Sequence, residues 1–268
     1  MKKIVVLLLF VSVQLQAQLG GVGLQGQGMS LGMFTIGLQA PAAVWSPLSL
    51  SPRVWVTDDL LVYKSVTTDT ARVEGAYAGY WGDQSGSGNN YTQSDATKRP
   101  LWSAATGLTF DGSNDWLSSA VTLTQPNWIF IVSNYLKLGT LQATLDGGSP
   151  RQIFRLNGSY YQLDATTAIQ STGNDSVKVN TVYMYLLVFN GATSSVNRNG
   201  VSLVAGACGN NGLGGMYIGA GGSGGSSFGN VQIRALIAGN GTLTAAEITN
   251  MQTWLNSWHT RVHGTPVY

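Results

Sequence analysis

From about Ser49 onward the chain reads as short apolar or alternating runs separated by turn signals, the pattern expected of strands. The runs occupy residues 53–56, 108–110, 116–123, 128–136, 152–156, 160–164, 182–189, 201–205, 216–218 and 232–238. Asn157-Gly158 and Asn199-Gly200 mark two joints as type I′ hairpin turns, whose central positions both need positive φ. Many strands at this spacing, with no alternating helices, predict an all-β fold: a two-sheet antiparallel sandwich.

One helix is expected, from 245 to about 258. Thr244 and Glu247 have capping-box spacing, and Leu243 and Ile248 stand at the staple positions on either side of the cap. Ile248, Met251, Leu255 and Trp258 then recur at helical spacing, giving one apolar face to lay against the sandwich.

The N-terminus follows a different pattern. Lys2 and Lys3 precede a mainly apolar run at 4–13, too short to span a bilayer, and Leu15-Gln16-Ala17 supplies a small residue for cleavage. Residues 1–18 therefore read as a secretory signal peptide, which predicts a secreted, extracellular protein. The alternative is an uncleaved arm that packs in an assembly such as a virion. Residues 19–48, with seven glycines between Gly20 and Gly37, read as a flexible segment, and the folded domain is expected over 49–268.

Charge and cysteine content narrow the partners. The formal net charge of +2 comes from 14 basic and 12 acidic residues, and losing Lys2 and Lys3 with the leader leaves 12 against 12. Basic residues are scattered, with Lys98-Arg99 the one adjacent pair after the leader, so nucleic acid is not an expected partner. Cys208 is the sole cysteine, which excludes an internal disulfide framework and a cysteine-rich zinc site.

Several segments, taken in order, point to a family. They are 49–58 (SLSPRVWVTD), the block 81–117 with its Trp-Gly-Asp, Ser-Gly-Ser-Gly-Asn-Asn and Phe-Asp-Gly-Ser-Asn-Asp-Trp-Leu, the Asn199-Gly200-Val201 hairpin, Tyr217-Ile218-Gly219 with Phe228-Gly229, and 243–255 (LTAAEITNMQTWL). Together they resemble the laminin-G-like branch of the concanavalin A-like lectin/glucanase jelly rolls, over about residues 49–260. The resemblance implies a jelly-roll sandwich used for binding glycan or protein, as in bacterial secreted proteins and phage structural proteins. This chain departs from it at Gln232-Ile233-Arg234, where the family often carries an acid, and at Trp55-Val56-Thr57-Asp58, where Trp-Leu-Asp-Ala is common.

Candidate chemistry is sparse. Glycosidases need two carboxyl groups flanking the scissile bond. Here the two glutamates are Glu74, in an expected loop, and Glu247, in the helix cap. A non-catalytic binding module is thus the leading reading, with a structural or adhesive protein of a virion or appendage as the alternative and a glycoside hydrolase as a weaker one. Aromatic rings stack on the apolar faces of sugars while Asn and Asp meet the hydroxyls. Trp81, Asp83, Asn90, Tyr91, Tyr160 and Tyr161 lie in or beside expected loops and turns and are the candidate ligand contacts, whereas Trp55, Trp116 and Trp128 are assigned to the core.

Asp111 and Asp115 offer either calcium ligands or Asx caps of a tight turn, and the turn is the favoured reading. Asp58 and Asp59 carry the same ambiguity. His259 and His263, four apart at the end of the helix, are expected at the surface. The Gly219-Ala-Gly221-Gly-Ser-Gly224 run lacks the helix a dinucleotide site needs and reads as a loop. Calcium is the one cofactor in question, and the partners expected are a glycan or a cell-surface or virion protein.

Overall fold

Period-two alternation sends every second side chain to the opposite face of a strand, and here it builds two antiparallel sheets with a shared interior. The computed structural model describes residues 45–65, 73–172 and 177–268, so the expected leader and all but the end of the Gly-rich segment lie outside the described residues. In chain order the strands are β1 (Val54–Thr57), β2 (Val62–Tyr63), β3 (Ala76–Tyr77), β4 (Tyr80–Trp81), β5 (Tyr91–Thr92), β6 (Leu101–Ser103), β7 (Gly107–Asp111), β8 (Leu117–Leu123), β9 (Asn127–Tyr135), β10 (Gly139–Gly147), β11 (Ile153–Gly158), β12 (Tyr160–Asp164), β13 (Ala168–Gln170), β14 (Tyr183–Phe189), β15 (Ser194–Arg198), β16 (Val201–Gly206), β17 (Leu213–Ile218) and β18 (Asn230–Asn240).

The first sheet runs β16-β15-β14-β9-β18-β7-β6-β3, with β1 also pairing β18. The second runs β13-β12-β11-β10-β17-β8-β5-β4-β2. All pairings are antiparallel, as the sandwich expectation required. Between the sheets lies a core that includes Phe110, Leu145, Phe154, Leu187 and Ile233.

The outer face of the first sheet carries a second apolar layer. Trp128, Phe130 and Val132 of β9, Met184 and Leu186 of β14, and Ala235 and Ile237 of β18 pack with Met251, Leu255 and Trp258 of helix α1 (Ala245–His263). Both faces of β9 are therefore covered, and all nine of its residues are buried. The capping box at Thr244 and Glu247 forms as expected, with Glu247 N–H donating to Thr244 Oγ1 at 3.2 Å and Thr244 N–H to Glu247 Oε2 at 2.7 Å.

The helix runs five residues beyond the expected end and stops at Gly264, which holds the left-handed φ of 78°. This extension corrects the placement of the histidines. His259 is 1% exposed and His263 turns inward to Asp58, with 3.2 Å between Nε2 and Oδ2. A bulge where β18 meets β9 puts both Arg234 and Ala235 on the helix side. Arg234 Nη1 there lies 2.6 Å from His259 Nε2, and Asp59 accepts the Trp258 indole N–H at 3.0 Å.

The Asn199-Gly200 turn has positive φ at both residues (51° and 80°), as a type I′ turn requires. The other hairpin is displaced by one residue. Asn157 pairs with Tyr160, so Gly158 and Ser159 make the turn.

Candidate functional site

Strand parity decides which of the aromatic candidates can meet a ligand. In β4 and β5 the inward positions fall on Trp81 and Tyr91, both 0% exposed. Trp81 donates its indole N–H to the Thr57 carbonyl at 2.9 Å, and Tyr91 donates its hydroxyl to Met216 Sδ at 2.7 Å. In β12, Tyr161 is also 0% exposed and shares a hydrogen bond with the Tyr185 hydroxyl at 2.8 Å. The expectation that these three rings, in or beside loops and turns, are open to a ligand is corrected: they fill the core. Tyr160, the outward neighbour, stays exposed at 39%.

Asp83 and Asn90 do sit in a loop, but they hold it closed. The Asp83 carboxylate accepts from Trp55 N at 2.9 Å, Ser85 N at 2.8 Å and Asn89 N at 2.9 Å, and Asn90 Oδ1 accepts from Asp83 N at 2.9 Å. Asp111 behaves similarly, its Oδ1 accepting from Ser113 N at 2.7 Å and Asn114 N at 3.3 Å as a turn cap. Asp115 Oδ2 accepts from Asp111 N at 3.1 Å, and burial, followed by the nearby Asp111 charge, pushes its carboxyl up to about 6. Among the described residues no cluster of three or more His, Cys, Asp or Glu side chains forms a metal cage.

The candidate site lies on the outer face of the second sheet, on which no α-helix packs among the described residues. The register aligns Tyr63, Tyr80, Thr92, Ser118, Tyr217 and Asp146 in one outward row across β2, β4, β5, β8, β17 and β10. Tyr63 and Tyr80 pack edge to face at 5.7 Å, and Trp116 leans on Tyr217 at 5.6 Å. Trp116 is thus half-buried on the open face, which corrects its assignment to the core.

A groove of 420 Å³ opens beside Trp116, lined also by Thr92, Gln93, Arg99 and Ser118, with Gly79 in its wall. Gln93, 4% exposed, ties the parts together. Its side-chain amide donates to the Trp116 carbonyl at 3.2 Å, while its own carbonyl accepts Arg99 Nε–H at 2.9 Å. The Ser94 carbonyl accepts Arg99 Nη2–H at 2.9 Å. Gly79 is needed here because an added Cβ would lie 2.2 Å from the Lys64 carbonyl oxygen, as well as 2.6 Å from Arg99 Nε. Among the described residues, no carboxylate lines the groove.

A larger hollow of 610 Å³ sits among Asp111, Lys137, Gln142, Phe228 and Asn230. Its polar groups serve one another: Gln142 accepts Asn230 N–H at 2.9 Å and donates to the Lys137 carbonyl at 3.1 Å, and Asn230 donates to the Asp111 carbonyl at 3.0 Å. The smaller groove has the aromatic wall and the arginine, and is the better candidate.

No family model matches the chain, and no curated protein matches it. Solved structures do. A Trypanosoma rangeli sialidase in complex with sialic acid is similar at a TM-score of 0.52 and 14% identity, over 74% of this chain and 32% of that one. A GH54 α-L-arabinofuranosidase variant is similar at 0.52 and 11%, over 65% of this chain and 50% of that one. The botulinum neurotoxin serotype G binding domain is similar at 0.50 and 12%, over 77% of this chain and 51% of that one. The chain therefore spans about a third to a half of these proteins, and at such identities the likeness is one of fold. It defines the class of fold: a two-sheet antiparallel β-sandwich.

Proposed function

We propose that the chain is an exported, non-catalytic module that binds carbohydrate in the Trp116 groove on the open face of its second sheet. The observation that carries this reading is the asymmetry of the sandwich. Helix α1 seals one outer face with apolar contacts, while the other presents a row of tyrosines, hydroxyls and a half-buried tryptophan. Rings that pack on a sugar's apolar face, with hydroxyl and amide groups at their rim, suit such a ligand.

The described lining of the groove has no carboxylate to act as the acid and the nucleophile or base of most glycosidases, which supports binding without hydrolysis. Glu74 and Glu247 lie outside it, one accepting Ala104 N–H and the other capping α1. The structures of similar fold described above include a sialidase and an α-L-arabinofuranosidase, which makes sugar the first ligand class to test. The leader-like N-terminus supports export.

The test is a glycan array on the full chain, with and without a calcium chelator, beside Trp116→Ala. Binding that survives the chelator and is lost in the variant supports the reading. Binding unaffected by Trp116→Ala, or new reducing ends released from a bound polysaccharide, overturns it.

A further inference from the structure

We infer that the ligand of this groove is an acidic sugar, a pyranose whose carboxylate meets Arg99 while its ring packs against Trp116. The inference rests on the binding reading above and adds the charge of the ligand. The open face carries other arginines, and their partners differ from those of Arg99. Arg151 donates Nε–H to Asp146 Oδ1 at 2.7 Å and also reaches Oδ2, forming a two-pronged pair with a fully buried carboxylate. Arg155 lies 3.9 Å from Asp164 and donates to Gln162 at 2.8 Å. Each of these charges is answered within the protein.

Among the described residues, Arg99 has no carboxylate within ion-pair distance and is held by the carbonyls of Gln93 and Ser94. Those bonds use two of its five N–H donors. They also fix the plane of the guanidinium, so the remaining donors form a pre-set fork of the geometry that a carboxylate accepts. Neighbouring Lys98 does not compete for this role, because it is turned to Asp95 at 3.3 Å.

The tryptophan is equally fixed. Its main-chain N–H donates to the Lys98 carbonyl at 3.1 Å, and its carbonyl takes the Gln93 amide. One side of the indole is closed by Gly224, where an added Cβ would lie 2.7 Å from Cε2. Gln93 is thus a positioning residue for both contacts. Among the described residues, the groove offers one fixed cation, an aromatic wall, the hydroxyls of Thr92 and Ser118, and no acid to repel an anion.

The experiment is titration calorimetry of the full chain with trigalacturonate, its fully methyl-esterified form and a neutral galactan oligomer. Trigalacturonate is expected to bind about tenfold to a hundredfold more tightly than its ester, the factor that corresponds to one hydrogen-bonded charge pair. Arg99→Gln is expected to remove that difference, bringing the acid's affinity down to that of the ester, with Arg99→Lys falling between. The ester comparison uses the native protein, so it decides even if a variant folds poorly. Equal affinity for acid and ester, with Trp116-dependent binding of the neutral oligomer, overturns the carboxylate assignment and leaves the binding module standing. Arg99-dependent binding of a sulfated galactan without any of trigalacturonate also overturns it. Binding of none of these, nor of any glycan on the array, overturns both.

Discussion

At the scale of single residues, the acidic side chains singled out in the sequence serve the fold. Asp83 closes its loop by accepting three main-chain N–H groups, one of them from Trp55 on β1. Asp83→Ala should therefore cost roughly 1–3 kcal/mol in urea unfolding while glycan affinity stays unchanged. A loss of affinity without a loss of stability would return Asp83 to the ligand site. Asp115 gives a pH signature. Its carboxyl is raised from 3.8 to about 6 in the folded protein, so the folded state holds the proton more tightly. This contribution is full below 3.8 and is lost as pH rises through about 6. Asn at this position keeps an acceptor for Asp111 N–H. Asp115→Asn should then abolish that slope in denaturation midpoints measured from pH 4 to 7, and an unchanged slope would refute the assignment. The sequence singled out these residues because Asp beside Gly and Asn signals a turn or a metal equally. Only the donors that reach each oxygen separate the two.

At the scale of elements, the strong local signals translated directly into structure. The Thr244-x-x-Glu247 box and the Ile248, Met251, Leu255 and Trp258 stripe produced α1 in the expected orientation. Thr244→Ala should lower stability by about 1 kcal/mol, read as a shift in urea midpoint at constant slope. No shift would mean that the packing of the apolar face alone holds the helix. Weak local signals were missed. β10 (GTLQATLDG) and β15 (SSVNR) carry polar and small residues that do not read as strands. They are strands because neighbours on both edges take their main-chain groups. The two-residue strands β4 and β5 are too short to show alternation in the sequence, which therefore does not carry the parity of their side chains. Tyr80 and Thr92 face out where Trp81 and Tyr91 had been expected to.

At the scale of the whole molecule, α1 is tied to the first sheet by a buried polar cluster as well as by apolar contact. His259 accepts from Arg234 and donates Nδ1–H to the Thr265 carbonyl at 2.6 Å. Burial, opposed by the Thr265 bond and aided by Arg234 and His263, lowers its pKa from 6.5 to about 4. The unfolded chain binds that proton first. Stability from His259 is therefore intact above 6.5 and is lost as pH falls toward about 4. Asp58 in the same cluster works in the opposite sense, since burial raises its carboxyl against the pull of His263 and Arg234. The difference between native protein and His259→Gln isolates the histidine: the variant should lose less stability between pH 6.5 and 4, and parallel curves would refute this. The sequence by itself determined the strand-rich class, the terminal helix with its cap and buried face, and the Asn199-Gly200 turn, because each is written in the φ preferences and periodicity of adjacent residues. Only the tertiary structure decided which aromatics face inward, that the two histidines are buried, and that Trp116, Gln93 and Arg99 form one groove. Those outcomes depend on strand parity and on pairings between distant segments, which local spacing does not encode.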